Sequence, residues 1–206
     1  MVGCNFRHER NLFKNGIQLV AGIDEAGRGP LAGPVVAAAV ILPQKFRHKR
    51  LNDSKKLTAT AREAIYAELT SNSEVHWSVV SVSVEEIDRL NILRAAHHAM
   101  RLAVAGLAIT PEHVLIDGLP VHPFPLPQTA LVDGDALSFS IAAASVIAKV
   151  TRDRIMVEMH ALYPEYDFAR HKGYSTRDHI ARLHKHGPCP IHRRSFEPVA
   201  QRVFGF

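Results

Sequence analysis

The stretch from residue 18 to residue 42 constrains the fold more than any other part of the sequence. Two apolar runs, QLVAGI and VVAAAVIL, flank a glycine-rich turn, and Pro43 ends the second run. Short apolar runs bounded by glycine and proline are typical of buried strands. The longer run is far below the roughly 18 apolar residues that a membrane-spanning helix needs. The sequence therefore predicts a β-sheet that includes these two runs, and no membrane span.

Further strands alternate with helices along the rest of the chain. VHWSVVSVSV (residues 75–84) alternates apolar and small polar residues, as a half-buried strand does. Residues 114–117 and 130–132 predict two shorter strands, separated by a proline-rich loop. The predicted order is two strands, helix, strand, helix, two strands and helix, followed by a basic tail. This order predicts an α/β protein in which helices cover one mixed sheet.

Helix starts are indicated by capping boxes, in which a Ser or Thr and a Glu three residues later satisfy backbone N–H groups. Such boxes begin at Thr60 and at Ser83. The second box opens one long helix, whose apolar face extends over residues 87–107. Two further helices are predicted over residues 138–159 and 176–186, and a Gly-Pro pair ends the latter.

The composition permits a nucleic-acid partner without establishing one. The 206 residues carry 25 Lys and Arg against 20 Asp and Glu, a formal charge of +5 with an isoelectric point near 9.4. A chain of this length is expected to form one domain, and we expect a monomer. Its two cysteines, Cys4 and Cys189, lie at opposite ends of the sequence and cannot form a disulfide framework. Because the first residues do not form a secretory signal, a reducing cytoplasm is the expected location.

Acidic side chains follow three of the predicted strands. Asp24 and Glu25 come directly after QLVAGI, Asp117 closes its strand, and the DGD turn that contains Asp135 follows residue 132. Ligands of open α/β sheets gather at the carboxyl ends of the strands. Acids that converge there suit Mg²⁺ or Mn²⁺, whose coordination shells are completed by substrate phosphates and water. A single Asp after a strand is more often a turn former or a helix cap, so position alone leaves both interpretations open.

A glycine-rich loop, GRGPLAG (residues 27–33), follows Glu25 with one residue between them. It is not a dinucleotide-binding fingerprint, because Pro30 interrupts it and a strand rather than a helix follows. The glycines on both sides of Arg28 would let the backbone approach a ligand closely. A tight turn between two strands is the alternative interpretation.

Basic residues outside the strands, with one aromatic residue among them, form a further feature. Such cations position a phosphate backbone, and a ring such as that of Tyr174 can stack on a base or sugar. Taken singly, each charge is more often a solvated surface residue. The candidate phosphate-binding residues are Lys55, Lys149, Arg152 and Lys172.

The segment GIDEAGRGPLAGPVV (residues 22–36) resembles the N-terminal signature of the type 2 ribonucleases H, the ribonuclease HII family. Further segments similar to that family follow in the same order as in the family. They are LNDSKKLT, DRLNILRAAHHAM, IDG, GDALSFSIAAASVIAKVTRDRIM and HKGYSTRDH. The resemblance spans almost the whole chain, and its first and fifth segments are long and specific.

This resemblance implies a ribonuclease H-like fold, with a five-stranded mixed sheet flanked by helices and a helical C-terminal extension. It implies a catalytic domain over residues 1–160 and a basic helical extension over residues 161–206, packed on the same domain. The implied activity is that of a metal-dependent endonuclease that cuts the RNA strand of RNA–DNA hybrids. The enzyme would also cut 5′ of a single ribonucleotide in duplex DNA. Its roles would be ribonucleotide removal and RNA primer removal.

The resemblance also assigns roles to individual residues. Two Mg²⁺ or Mn²⁺ ions about 4 Å apart would drive hydrolysis and leave 3′-hydroxyl and 5′-phosphate ends. The metal-binding acids would be Asp24, Glu25, Asp117 and Asp135. The ribose 2′-hydroxyl would be read by Gly27, Arg28 and Gly29, and the sugar at the RNA–DNA junction would pack against Tyr174.

One position departs from the family pattern. Similar proteins commonly have Lys before the Gly-Asp pair, where this chain has Asp133-Gly134-Asp135. Asp133 is therefore a competing candidate for the fourth metal ligand. We prefer Asp135, because it keeps its place ahead of the SFSIAAAS helix. The loss of a Lys would weaken a phosphate contact or alter the metal preference.

Two other classes of protein compete with this interpretation. Another metal nuclease of the same fold, such as a resolvase or an exonuclease, would share the acids but not the GRG loop or the distant Tyr174. Cleavage of all-DNA duplexes would favour it. A non-catalytic nucleic-acid-binding protein would explain the basic charge but not converging carboxylates, which repel phosphate unless a metal ion is present. Binding that is indifferent to Mg²⁺ would favour that class.

Overall fold

Five strands form one mixed sheet. The computed structural model describes residues 4–51, 54 and 57–204. The strands are β1 (Val20–Ala26), β2 (Val35–Ile41), β3 (His76–Val82), β4 (His113–Asp117) and β5 (Gln128–Leu131), in the spatial order β3-β2-β1-β4-β5. β2 runs antiparallel to β1 and β3, whereas β4 runs parallel to β1 and β5. The predicted mixed sheet is confirmed.

The topology brings three strand ends to one edge of the sheet. Because β1, β4 and β5 are parallel neighbours, their carboxyl ends lie at the same edge. Asp24 and Glu25 are near the end of β1, and Asp117 is the last residue of β4. The acids predicted at strand ends therefore lie where ligands of such sheets gather.

Helices cover both faces of the sheet. They are α1 (Arg7–Lys14), α2 (Ala59–Ser71), α3 (Val84–Leu90), α4 (Ile92–Ala105), α5 (Phe139–Leu162), α6 (Phe168–His171), α7 (Arg177–His186) and α8 (Val199–Phe204). Every residue of β2 is buried. Ala37 and Ala39 pack in the core layer with α4, whereas Ala38 and Val40 pack in the layer with α2 and α5. This two-residue alternation explains why the strand is apolar throughout.

The helix α5 lies unusually close to β1. A Cβ atom added to Gly22 would lie 2.1 Å from the backbone carbon of Ser140 and 2.3 Å from the nitrogen of Ile141. Only glycine permits this approach. The small residues of the SIAAAS segment keep the helix side of the contact narrow as well. As a result, the helix places Ser145 beside the strand end that carries Asp24.

A buried carboxylate anchors the start of α5. Glu9, on α1, is completely buried. Its Oε1 accepts hydrogen bonds from the Ser138 hydroxyl at 2.6 Å and the Ser140 N–H at 2.9 Å. A negative charge at a helix N-terminus is favourable, because the free N–H groups point toward it. The sequence interpretation did not include α1, whose residues are mostly polar.

Two helix boundaries differ from the predicted ones. The cap of α2 is Thr58, whose hydroxyl accepts a hydrogen bond from the Ala61 N–H at 3.2 Å, so the box predicted at Thr60 is wrong. Ser83 caps a helix as predicted, its hydroxyl accepting a hydrogen bond from the Glu86 N–H, but this helix ends at Leu90. The backbone then turns at Asn91, with φ 68°, and its side chain caps a separate helix, α4. A left-handed residue cannot continue an α-helix, so the predicted single helix is two.

The helices beyond the sheet agree more closely with the predictions. Ser138 caps α5 and Thr176 caps α7, each accepting a hydrogen bond from the N–H group three residues later. Gly187, with φ 74°, follows α7. None of the helices in the described part of the chain combines the length and apolar character that crossing a bilayer requires.

Candidate active site

Three acids lie together at the edge of the sheet. Asp24 is only 4% exposed, and its Oδ1 accepts a hydrogen bond from the Glu25 N–H at 2.7 Å. Asp117, at the end of the neighbouring strand, accepts one from the Gly134 N–H at 2.7 Å. This second bond ties the end of β4 to the turn that precedes α5. The orientation of both aspartates is therefore set by the protein itself.

Burial and like charge make these carboxylates costly without a cation. Burial raises the pKa of Asp24 well above its ordinary value, and the negative charges of Glu25 and Asp117 raise it further. Burial also raises the pKa of Glu25, although the Arg28 guanidinium, 3.2 Å from Oε1, acts in the opposite direction. Buried charges are stabilised by an opposite charge nearby. The cluster therefore favours the binding of a positive ion.

The donor set fits a hard divalent cation that substrate helps to coordinate. Within the described ranges, no three His, Cys, Asp or Glu side chains form a ready-made cage for an ion. Mg²⁺ seldom uses such cages, because it keeps several waters and binds one or two carboxylates together with substrate phosphates. Asp24, Glu25 and Asp117 offer oxygen ligands of this kind along one cleft.

A cleft of about 240 Å³ opens over the three acids. Its wall includes Ser145 of α5, whose hydroxyl hydrogen-bonds to Asp24 and lies 2.9 Å from the hydroxyl of Ser54. Neither serine was predicted. The signal for Ser145 is the small-residue pattern of SIAAAS, which is typical of a helix packed closely on a strand. The other lining residues are Ala26, Gly27, Arg28, Gly29, Lys149 and Tyr174.

The fourth proposed acid, Asp135, is buried in the turn whose Gly134 N–H bonds to Asp117. Asp135 is 3% exposed, and it is not among the described residues that line the cleft. The negative charge of Asp135 acts on the Cys4 thiol. Together with burial, which is the main cause, and the charge of Glu9, it raises the pKa of that thiol to about 12. Asp133 is exposed and has a left-handed backbone, with φ 53°. The choice of a fourth ligand is thus between a buried and an exposed carboxylate.

The two glycines beside Arg28 have different surroundings. Gly27 has φ +99°, and a Cβ there would lie 2.1 Å from Nε of Arg152, so this position needs glycine. No atom lies within 4 Å of a Cβ built on Gly29, which leaves open space beside the loop. The Arg28 side chain is 54% exposed. The loop therefore has one face packed on the protein and one face open toward the cleft.

Two buried arginines hold this loop from within the protein. Both are fully buried, and their guanidinium groups donate to backbone carbonyls. The acceptors of Arg152, each at 3.0 Å, are Ala32, Pro34 and Lys172. Those of Arg193 are Gly27, Arg28, Gly33 and Pro34. Because its nitrogens face carbonyls inside the protein, Arg152 supports the loop, and we do not retain it as a phosphate contact.

Tyr174 lines the cleft with a ring that is partly open to solvent. The residue is 41% exposed. The Nζ of Lys149 and the Cζ of Arg152 each lie 5.7 Å from the ring centroid. The structure therefore brings Tyr174 to the cleft of the acids, from which it is far apart in sequence.

The other candidate phosphate contacts differ in their surroundings. Lys149 lines the cleft, and its Nζ donates to Asp153 at 2.7 Å. Burial lowers the pKa of Lys149. The Nζ of Lys172 donates to the carbonyl of Ala169. Lys55 lies outside the described residues. Of these three lysines, the structure thus places Lys149 at the cleft.

Comparison with known proteins relates this arrangement to one family. The family model "Ribonuclease HII" matches residues 21–199. A ribonuclease HII of Desulfitobacterium hafniense (strain DSM 10664 / DCB-2) is 54% identical over 197 residues, which are 96% of this chain and 75% of the relative. A ribonuclease HII of Paracidovorax citrulli (strain AAC00-1) is 57% identical over 185 residues, 90% of this chain and 77% of the relative.

A solved structure shares the fold. The ribonuclease H2 of Pyrococcus horikoshii OT3 superposes with a TM-score of 0.72 at 26% identity, over 91% of this chain and 98% of that one. The five-stranded mixed sheet with flanking helices and a helical C-terminal region is thus a ribonuclease H-like fold. The chain belongs to the ribonuclease HII family, and it is an endoribonuclease of the ribonuclease H type that acts on RNA–DNA hybrids.

Proposed function

We propose that this chain cuts duplex DNA 5′ of a single ribonucleotide, in addition to cutting the RNA strand of hybrids. It leaves 3′-hydroxyl and 5′-phosphate ends, and it serves ribonucleotide repair and RNA primer removal. One observation carries the proposal: three acids (Asp24, Glu25 and Asp117), the loop at residues 27–29 and Tyr174 line the same small cleft. A ribonucleotide whose 5′ phosphate lies on the acids therefore has its sugar within reach of the loop and the ring.

The proposed ligands of two divalent ions, Mg²⁺ or Mn²⁺, are Asp24, Glu25, Asp117 and Asp135. The ribonuclease H family is divalent-metal dependent. When bound, such ions supply an activated water and stabilise charge on the phosphoryl oxygens. The burial of Asp24 beside Glu25 and Asp117 supports this proposal, because buried like charges are stabilised by a cation.

The chain's own groups orient the acids. The Ser145 hydroxyl and the Glu25 N–H hold the Asp24 carboxylate, and the Gly134 N–H holds that of Asp117. Each of these donors leaves further lone pairs of the carboxylate for other partners. Orientation before binding reduces the ordering that substrate must bring about.

In this proposal, the backbone of residues 27–29 and the ring of Tyr174 recognise the ribose. The 2′-hydroxyl is the group that distinguishes RNA from DNA sugars at a given position, and a hydroxyl both donates and accepts. Gly27, Arg28 and Gly29 offer backbone groups beside the open space at Gly29. The ring of Tyr174 packs against the sugar at the RNA–DNA junction. Because Arg193 fixes carbonyls of the loop, the loop can discriminate between sugars that differ by one oxygen.

The substrates are RNA–DNA hybrids and duplex DNA that contains a ribonucleotide, and we propose that the protein acts as a monomer. Lys149 and Lys172 are the proposed phosphate contacts among the described residues, and Lys55 remains a third proposal from the sequence. Such contacts give affinity without sequence preference and weaken with salt. The two cysteines are unpaired, which suits a reducing compartment, and we propose a cytoplasmic location.

The C-terminal residues complete the site instead of forming a separate one. Tyr174 lines the cleft, and Arg193 donates to the carbonyls of the loop. We therefore propose a catalytic domain over residues 1–160 and an extension over residues 161–206 that packs on it.

The test is cleavage of a DNA duplex that carries one ribonucleotide, with an all-DNA duplex of the same sequence as the control. The reaction is run with Mg²⁺, with Mn²⁺ and with a chelator. We expect cleavage of the first duplex only, and none with the chelator. Cleavage of the all-DNA control would instead favour a nuclease of the resolvase or exonuclease type.

A further inference from the structure

A short C-terminal segment, residues 189–193, contacts the loop of the proposed sugar reader directly and is linked to Tyr174 through His179. From this segment, Arg193 donates to the carbonyl of Gly27 at 2.5 Å and to that of Arg28 at 2.9 Å. The preceding residue, His192, begins a chain of hydrogen bonds that ends at Tyr174. Neighbouring residues therefore reach the loop on one side and the ring-bearing residue on the other.

The hydrogen positions in this chain follow from its ends. Nδ1 of His179 lies 2.9 Å from the carbonyl oxygen of Tyr174, and because a carbonyl only accepts, Nδ1 carries the hydrogen. In the neutral ring Nε2 of His179 is then an acceptor, and it lies 3.0 Å from Nε2 of His192, which must donate. Nδ1 of His192 in turn accepts from the Cys189 N–H at 3.0 Å. The bonds thus run in one direction, from Cys189 to Tyr174.

The environment keeps both rings neutral, as this pattern requires. His179 and His192 are at most 1% exposed. Burial is the main cause that lowers the pKa of each to about 4. His171 stacks on His179 with ring centroids 4.4 Å apart, and a charge on either ring would repel the other. Bonds that run in one direction through a buried site strengthen one another.

The backbone of Tyr174 is held by hydrogen bonds at both its N–H, which donates to the His171 carbonyl at 3.0 Å, and its carbonyl. Its carbonyl accepts from the Thr176 N–H at 2.8 Å as well as from His179. The neighbouring Gly173 packs on the loop: its carbonyl accepts from the Leu31 N–H at 2.8 Å, and a Cβ there would lie 2.5 Å from the Ala32 oxygen. A change at the carbonyl of Tyr174 would therefore alter the position of its ring relative to the loop.

We propose that His192 and His179 are positioning residues which, with Arg193, set the spacing between the loop at residues 27–29 and the ring of Tyr174. This spacing determines how well a single ribonucleotide in DNA is recognised. The inference rests on the proposed function, in which the loop reads the 2′-hydroxyl and the ring packs on the sugar. His192 and His179 do not line the cleft, so their effect is exerted through Tyr174.

The test uses pairs of similar variants that keep different hydrogen bonds. In His192→Gln, the amide nitrogen replaces Nε2 and can still donate to His179. In His192→Asn, the amide replaces Nδ1, so the bond to Cys189 is kept and the bond to His179 is lost. For His179 the pattern reverses: His179→Asn keeps the bond to the Tyr174 carbonyl, whereas His179→Gln loses it.

We measure kcat and KM on the duplex with one ribonucleotide and on a long RNA–DNA hybrid. His192→Asn and His179→Gln should lower kcat/KM on the single ribonucleotide about 10-fold to 100-fold, as expected for a misplaced substrate contact. The loss on the long hybrid should be much smaller. His192→Gln should stay close to the parent protein, whereas His179→Asn, which loses the same bond between the two histidines as His192→Asn, should show a comparable loss. His184→Asn, an exposed change on the same helix, is the matched control.

A double variant separates positioning from a general structural role. If His192 acts through Tyr174, then His192→Asn combined with Tyr174→Ala should be no worse than Tyr174→Ala alone. Melting temperatures identify variants that are simply unfolded. Additive losses, or equal losses on both substrates, would overturn the inference.

The outcomes also separate the inference from the function on which it rests. If Tyr174→Ala loses the single-ribonucleotide activity while His192→Asn and His179→Gln keep it, the inference alone is wrong. If Tyr174→Ala itself keeps the preference of the parent protein, the proposed sugar contact fails and the inference fails with it.

Discussion

At the scale of single residues, the site depends on carboxylates whose ionised forms are disfavoured by burial and by one another's charge. Asp24 is buried beside Glu25 and Asp117, and one nearby cation, Arg28, pairs with Glu25 rather than with Asp24. Groups with strongly shifted pKa values in a cleft are candidates for function, because active sites are where burial and like charges are arranged to shift pKa values. The proposal that a metal ion binds at these acids rests on this arrangement.

Asp24→Asn tests this role. The variant should lose at least about 100-fold in kcat, since a metal ligand is replaced by a neutral amide. Its melting temperature without metal should equal or exceed that of the parent protein, because a buried negative charge is removed. Cleavage assays and thermal melts check the two expectations.

Lys149 also lines this cleft but is not a proposed metal ligand, so Lys149→Met is a useful comparison. It should weaken duplex binding without abolishing cleavage. An Asp24→Asn protein with full activity would contradict the metal assignment.

The fourth ligand is decided by Asp133→Ala and Asp135→Ala, compared by Mn²⁺ and Mg²⁺ titration of activity. We expect the second variant to lose activity and the first to keep it. The choice rests on sequence position, since Asp135 keeps its place ahead of α5; in the structure Asp135 is buried and Asp133 is exposed. If only Asp133→Ala lost activity, Asp133 would be the ligand.

At the scale of secondary-structure elements, the contact between α5 and β1 builds the site. Gly22 lets the helix approach the strand, Glu9 holds the helix start, and Ser145 then reaches Asp24. Further along the same helix, Arg152 lies beneath Gly27. One helix therefore positions both the acids and the loop, so a shift of α5 would disturb the two together.

Gly22→Ala should show this dependence. Its methyl group would overlap the backbone of Ser140, so the helix must move, at a cost of about 3 kcal/mol in the free energy of unfolding. Denaturant unfolding measures the cost. The control is Gly29→Ala, which has open space around its Cβ and should leave stability nearly unchanged. Equal stability of the two variants would contradict the close-contact explanation.

The sequence predicted the elements that have a strong local signal. The apolar run of β2, the alternation in β3 and the acids at strand ends are short-range patterns. The break at Asn91 was missed because a left-handed cap inside an apolar helical pattern leaves no mark in that pattern. Arg152 was expected at the surface, since arginine is seldom fully buried. Its burial depends on carbonyls from distant segments, which the sequence does not bring together.

At the scale of the whole molecule, the C-terminal region and the sheet form one site. Arg193 donates to the loop and His192 is bonded to His179, which in turn bonds to the Tyr174 carbonyl, from a segment more than 150 residues after the loop. The network of buried histidines in this region is neutral near pH 7. The molecule should therefore lose this support in acid.

The pH dependence of stability checks the network. His179 and His192 have pKa values near 4 in the folded protein against 6.5 for an ordinary histidine. The unfolded chain therefore binds more protons, and the free energy of unfolding should fall as the pH decreases from 6.5 toward 4. His192→Gln should make this decrease shallower, as measured by urea unfolding across that range. An identical pH dependence in both proteins would contradict the neutral network.

The most direct test of the central claim is to map the cut and its ends on a duplex with one ribonucleotide. Water attack supported by metal at the acids predicts a cut on the 5′ side of the ribonucleotide, with a 3′-hydroxyl and a 5′-phosphate, and only when Mg²⁺ or Mn²⁺ is present. Attack by the 2′-hydroxyl would instead cut on the 3′ side and leave a 2′,3′-cyclic phosphate. That second product, or cleavage in the presence of a chelator, would contradict the account.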